Sequence, residues 1–400
     1  MNTAFEPYRR LLRLPGVTPV VILGLLTRIP ATATGLTITL HVVQTLGLSW
    51  AQAGVAGTAS TVGMAIGSPL LGRIVDRRGT RSVVAVTSLV QLVFWVSAPM
   101  LPYEVLVGAA FVAGLLMLPV FGLIRQCMAA MVPKDQHRTG FALDSMCVEL
   151  SYMIGPAVGA AAVSAVSSAV AMRAVGIGLA LAGLALFVLN PPTRSAEELA
   201  AGPGEKVPIR RWLSPRVLTI FGVTSALTFV LTATDLAIVA TLEHAGDAAW
   251  IGLVIGVWCF ASLVGGFVYG LLPRGFSPLV MIGGLCALTI PVGLVGGGWW
   301  WLIPALIPGG LLCAPSLSTT VDYVNKSVPA SARGESMGLH GTFLTIGVSS
   351  AGPVAGLIID GWGPGWAFAG AGAIGLLAVL IAVPFWRMPV RVKEPVKVLA

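Results

Sequence analysis

Uncharged apolar runs of about 20 residues recur along the whole chain, and each is long enough to cross a hydrocarbon core about 30 Å thick. The stretch "GTASTVGMAIGSPLL" (57–71) is one of them. Twelve such spans are expected, at 17–42, 50–72, 82–101, 104–130, 140–165, 169–190, 215–242, 248–272, 277–296, 299–325, 334–360 and 364–386. Hydrophobic residues make up 56% of the 400 and charged residues 10%, against roughly 45–50% and 25% in soluble domains. The runs are continuous rather than alternating, which points to helices and away from a membrane β-barrel. The fold class expected is therefore an all-α polytopic membrane protein.

The net charge of +8 is a matter of placement. Of the 24 Lys and Arg, only Arg28, Arg125 and Arg173 fall outside the segments on one side of the expected spans. By the positive-inside rule that side is cytoplasmic and holds both termini. A nucleic-acid footprint is not needed to explain the charge. The basic start "MNTAFEPYRRLLRLPG" leads into an apolar run too long for a cleavable signal peptide, so the first span is expected to remain. The five cysteines, at 127, 147, 259, 286 and 313, have neither metal-ligand nor disulfide spacing and read as packing residues.

The longest stretch between spans is "NPPTRSAEELAAGPGEKVPIRRWLSPR" (190–216), a polar Pro- and Gly-bearing linker near the midpoint. It divides the chain into an N-terminal six-helix bundle (1–190), a cytoplasmic linker (191–214) and a C-terminal six-helix bundle (215–400). The halves resemble each other. Val-Pro, a basic residue, a glycine and a late Gly-Pro-x-x-Gly recur in order from Val132 and from Val328. Paired six-span repeats are expected where two bundles share one site.

Between spans 2 and 3 lies "GRIVDRRGTR" (72–81), with five charges in ten residues. Gly72, Asp76, Arg77, Gly79 and Arg81 match the signature loop of the major facilitator superfamily, which the chain resembles over its whole length. Thr80 stands where that family usually has a basic residue. Physically, Gly72 permits close helix approach, Gly79 a tight turn, and Asp76 can pair with an arginine or a helix N-terminus. The resemblance implies twelve helices in two pseudo-symmetric bundles, a conformational latch at this loop, and secondary transport by alternating access rather than enzyme activity. It also implies that spans 1, 4, 7 and 10 line a central cavity.

Ionisable residues at membrane depth are functional candidates by default. Spans 1, 4, 7 and 10 each carry one: Arg28, Arg125, Asp235 and Asp322. At 1.5 Å per residue, Arg28 and Glu149 both lie roughly 15 Å deep from the same side, so they are expected to pair. Hairpin geometry likewise sets Arg125 level with Asp144, and Asp322 level with His340. His41, Glu104, Glu243, His244, Asp247 and Asp360 read as solvated outer-loop groups, and Trp299–Trp301 as an interfacial belt. The helix-bend elements Gly155, Pro156, Gly159 and Gly352, Pro353, Gly356 resemble part of the motif of drug:proton antiporters in the same superfamily and are expected at the seam between halves.

No nucleotide-binding Gly-x-x-x-x-Gly-Lys-Ser/Thr loop is present, so an ion or substrate gradient is the expected energy source. The sequence reading is a monomeric transporter of the bacterial plasma membrane, needing no cofactor or metal. Its partners are a small-molecule substrate, protons and the bilayer. Proton-coupled export of amphipathic or drug-like compounds is expected. The alternatives are uptake of an anionic or zwitterionic metabolite or sugar derivative, and export of a lipid-like compound.

Overall fold

The computed structural model describes residues 5–48, 50–200, 207–247, 250–272, 274–294 and 298–387. The first half contains α1 (Glu6–Arg13), α2 (Val17–Leu40), α3 (Trp50–Arg78), α4 (Thr80–Ser97), α5 (Tyr103–Leu115), α6 (Val120–Met131), α7 (His137–Ala165) and α8 (Ser168–Leu189). Two short helices, α9 (Ala196–Ala200) and α10 (Ile209–Trp212), lie in the linker region. The second half contains α11 (Pro215–His244), α12 (Ile251–Leu271), α13 (Pro278–Thr289), α14 (Leu302–Ser327), α15 (Arg333–Trp362) and α16 (Pro364–Arg387).

Among the described residues, eleven helices are long and apolar enough to cross a membrane. The twelfth expected span is described as a shorter apolar helix over Pro278–Leu294, in which α13 runs into a 3₁₀ turn. Large apolar side chains such as Leu357, 72% exposed, and Phe260, 66% exposed, cover the outer surface. Water would not tolerate so continuous an apolar surface, whereas lipid is its natural solvent.

Local sequence explains the boundaries. Ser167 and Ser214 cap α8 and α11 by accepting from the amides of Val170 and Val217. Pro119 splits span 4 into α5 and α6, since proline supplies no amide and clashes with the preceding turn. The carbonyls freed at this break are not orphaned. Gln91 Nε2 donates to Ala113 O at 2.7 Å and to Leu116 O at 3.2 Å, which is how a broken helix survives inside a bilayer. Gly79, at φ +81°, turns the chain from α3 into α4.

Packing repeats between the halves. In the first, α2 packs on α7, α3 on α5 and α4 on α8; in the second, α11 packs on α15, α12 on α14 and α13 on α16. Two seams join the halves, α3 against α15 and α12 against α7. The Lys and Arg at the helix ends, among them Arg78, Lys134, Arg216 and Lys326, all lie at one end of the bundle, here termed the basic end.

At the basic end one apolar cluster spans both halves, from Leu71, Val75 and Ile124 to Val321, Val324 and Met337. Toward the far end the cores separate. One cluster holds Phe94, Trp95 and Met172 of the first half; another holds Leu227, Trp258 and Phe368 of the second. Gly54 and Gly57 of α3, Gly252 and Gly256 of α12, and Gly352 and Gly356 of α15 face open space there. The bundle is therefore sealed at its basic end and parted at its far end.

The linker is in part docked. Trp212 is buried, Arg194 donates to the Asp76 carbonyl at 3.2 Å, and Glu198 binds Arg333 of α15 at 3.0 Å. Burial pushes the Glu198 carboxyl up. The Ser195 amide and the Arg333 guanidinium outweigh it, so the group titrates below its ordinary range. A depressed pKa means that this clasp is fully present above the ordinary carboxylate range and is lost as pH falls through the lowered value. Amide exchange over 195–200, taken relative to the intrinsic rate of an unprotected amide at each pH, is thus expected to be flat from neutral pH through the ordinary glutamate range and to rise only below it. A rise already at mild acidity would contradict the clasp.

Candidate functional site: a buried charge network between the halves

Asp144 of α7 is the hub. Arg28 Nη2 of α2 donates to its Oδ1 at 2.6 Å, and Arg125 Nε of α6 donates to its Oδ2 at 3.2 Å. All three side chains are buried, with Arg28 wholly so. Arg28 also lies over the Phe121 ring at 5.3 Å, a cation–π contact, while its Nε has no partner. Two guanidinium groups thus share one carboxylate.

The network crosses into the second half. Arg125 Nη1 approaches His340 Nδ1 of α15 at 3.4 Å, and His340 Nε2 lies 3.0 Å from Thr320 Oγ1 of α14. Arginine can only donate, so Nδ1 must accept and the proton resides on Nε2. That nitrogen donates to Thr320, whose hydroxyl donates onward to Leu317 O at 2.8 Å. Protonating Nδ1 would place two donors face to face and break this link between the halves.

Arg125 and Asp144, level by hairpin geometry, also face each other and meet. The expected Arg28–Glu149 pair does not form. Five residues separate Asp144 from Glu149, a rotation of roughly 140° on a helix. Asp144 faces α2 and α6, so Glu149 faces α12, where Ser262 Oγ donates to its Oε1 at 3.0 Å. The same rotation argument removes the Asp322–His340 pair. Thr320 faces His340, and Asp322 points away to Lys326 Nζ at 2.6 Å, near the basic end.

Asp235 of α11 lies within electrostatic reach of Glu149, and both acids are half-buried. Tyr152 lies within reach of Arg28, Arg125 and Glu149 yet is 57% exposed. It therefore projects into open space in the interior. The Phe121 ring stacks on it at 6.1 Å.

The signature loop seals the first seam. Asp76 accepts from the amides of Gly334 and Glu335 at 2.9 Å each and from Gln126 Nε2 at 3.0 Å. It thus caps the N-terminus of α15. Arg73 Nη2 binds Glu335 at 2.9 Å. A Cβ on Gly72 would strike the carbonyl of Gly334, and one on Gly338 the carbonyl of Ser68. Arg77 and Arg81 take no part across the seam: Arg77 is exposed, and Arg81 holds Phe187 of α8.

The bend elements differ from expectation. Gly155 and Gly159 pack against Thr32 and Thr37 of α2, within the first half rather than at the seam. Pro156 and Pro353 lie inside unbroken helices, and Gly352 and Gly356 face open space. His41 is buried rather than solvated and bonds Ser168 Oγ at 2.8 Å. Ser262, Thr320, Phe121 and Gln126 were not marked by the sequence. Only Gln126, beside Arg125, offered a local polar signal.

With this geometry in place, the Major Facilitator Superfamily family model matches residues 20–294 and 218–399. The chain belongs to the major facilitator superfamily. Members of this superfamily are membrane transporters, and the chain is a multi-pass membrane protein of the same kind.

The superfamily fold is shared with structures of low identity. The human organic anion transporter MFSD10 (TETRAN) matches with a TM-score of 0.69 at 16% identity, over 94% of this chain and 99% of that one. A bacterial homologue of the iron transporter ferroportin, in its outward-facing state, matches with a TM-score of 0.69 at 14% identity, over 92% and 98%. The proton:xylose symporter XylE also matches with a TM-score of 0.69 at 14% identity, over 92% and 95%. No curated protein sequence is significantly similar to the chain.

Proposed function

We propose that this superfamily member is a proton-coupled exporter of small amphipathic or drug-like compounds, working by alternating access as a monomer in a bacterial plasma membrane. In this reading Pro278–Leu294 completes twelve spans. The two six-helix halves, 1–190 and 215–400, are joined by the linker over 191–214, and the basic end with both termini is cytoplasmic. The halves rock about the Arg28–Asp144–Arg125–His340 network.

One observation carries the choice of substrate and ion. The half-buried ionisable groups around the interior space are acids, Glu149 and Asp235, while Arg28 and Arg125 are buried against Asp144. A carboxylate that alternates between two exposures changes its proton affinity, and a cation can displace the proton. Glu149 also bonds across the second seam through Ser262, so its charge bears on how that seam holds. The surplus of two guanidiniums over one carboxylate favours a second reading, uptake of an anionic or zwitterionic metabolite. A lipid-like cargo is supported by an apolar cleft of about 390 Å³ among α2, α7 and α8, lined by Leu26, Pro30, Val158 and Leu181.

The test is flux in liposomes carrying the purified protein, with an imposed pH gradient and ethidium as a permanently charged amphipathic cation. The expected result is gradient-driven ethidium movement with stoichiometric proton counterflow. Glu149→Gln should abolish the driven component while leaving gradient-free exchange intact. Driven transport that survives Glu149→Gln would refute the proton assignment. Flux of an organic anion in place of ethidium would favour the second reading.

A further inference from the structure

The two seams are related by the internal repeat, yet they are held by different means. At the first, Asp76 at the basic end of α3 caps α15. At the second, Gly270 of α12 stands where Gly72 does, and the matching position for the acid is Arg274, which is exposed. Among the described residues, the N-cap Gln136 of α7 makes no side-chain cap and no acid of α12 accepts from the first amides of α7 as Asp76 does at α15. The helix-capping acid of the first seam thus has no counterpart at the basic end of the second, where Glu149 and Ser262 meet deeper in the bundle.

Something else occupies the position. Helix α1 is short and amphipathic, with Arg9 and Arg10 outward and Leu11 wholly buried. Gly16, at φ +79°, folds it back under the bundle, where a Cβ would meet Met131. Its Tyr8 crosses from the first half to the second. The Tyr8 hydroxyl donates to Phe267 O at 2.9 Å and reaches Gly266 O at 3.3 Å. Its ring stacks on Phe267 at 5.0 Å. A Cβ on Gly270 would strike the Tyr8 hydroxyl, so the glycine is what admits the tyrosine. Thr139 of α7 completes the closure by donating to the Gly270 carbonyl at 2.8 Å, an end-of-helix carbonyl with no helical partner.

We infer that α1 is a strap that latches the second seam: Tyr8 does for α12 what Asp76 does for α15, and it must leave α12 for the basic end to open. This rests on the reading of the molecule as a rocking transporter. Tyr8 is a positioning residue in this account, for it touches neither the central acids nor the buried network. Its role is to set the balance between the two exposures of the cavity.

The test uses the full-length chain in lipid nanodiscs, with spin labels on exposed residues Lys134 and Arg274 that flank the second seam. The readout is the ratio of long to short electron–electron distances, alongside transport rate. Tyr8→Phe keeps the ring stack and removes only the hydroxyl. It should raise the basic-open ratio about five-fold, the usual worth of one such hydrogen bond. Tyr8→Ala should raise it further, and Asp76→Asn should raise it through the other seam. Combining Tyr8→Phe with Asp76→Asn should multiply the two effects, because both seams part in one motion. If both Tyr8 variants match the wild type while Asp76→Asn opens the pair, α1 is only an anchor and the proposal fails alone. If Asp76→Asn also changes nothing, the strap and the rocking reading fall together.

Discussion

Asp144→Asn is expected to be the most damaging single substitution in the protein. It leaves Arg28 and Arg125 facing each other without their shared carboxylate, both buried at the centre of the bundle. Breaking a buried pair by removing one partner typically costs about 3–5 kcal/mol. The measured melting temperature in detergent should fall by roughly 10 °C, on the usual relation between stability and midpoint. Aspartate to asparagine hardly changes volume, so a packing defect would not produce this loss. Adding Arg28→Met to Asp144→Asn should recover part of the stability by removing one stranded cation. A full-stability Asp144→Asn protein would contradict the assignment of Asp144 as hub.

Gly72→Val is expected to abolish transport while leaving a folded protein. The added side chain would meet the Gly334 carbonyl, a backbone atom that cannot move aside without displacing α15. The seam then cannot close, Asp76 loses its amide donors, and the ensemble shifts to the basic-open form. The transport rate should fall below about a tenth of wild type, since a coupling of 1–3 kcal/mol already moves such equilibria 5- to 150-fold. Gly108→Val is the control. That glycine is exposed on α5 with nothing within 4 Å, and the substitution should leave both stability and rate unchanged. Equal effects at the two sites would mean that the seam contact is incidental.

The parts legible in the sequence are those the bilayer dictates. A spanning helix must be apolar for its whole length, so hydropathy located the spans, and a fixed rise per residue set Arg125 level with Asp144. Rise says nothing of azimuth. For that reason Glu149 and Asp322 were matched to the wrong partners, although each lay at the right depth. Asp76 was recognisable because a lone acid among arginines at a helix end has few physical uses. Its acceptance of two backbone amides was not legible, since amides leave no mark in the sequence. Tyr8, Arg194 and Glu198, near the terminus and in the linker, carried no mark in the sequence. Their docking depends on the basic end being closed, a property of the assembled halves. The repeat of Gly-Pro-x-x-Gly was misleading as well: one copy packs on α2 and the other faces open space, although the two lie at the same height in repeat-related helices.

Rocking of the halves about the buried network requires one end to close as the other opens. The direct measurement is the pair of distances Lys134–Arg274 at the basic end and Val166–Trp250 at the far end, in nanodiscs, before and after a transported substrate and a pH step are applied. All four positions are exposed at the ends of α7 and α12 or beside them. With rocking, the first distance lengthens as the second shortens, in the same fraction of molecules. Transport proceeding while both distances stay fixed, or both lengthening together, would contradict it.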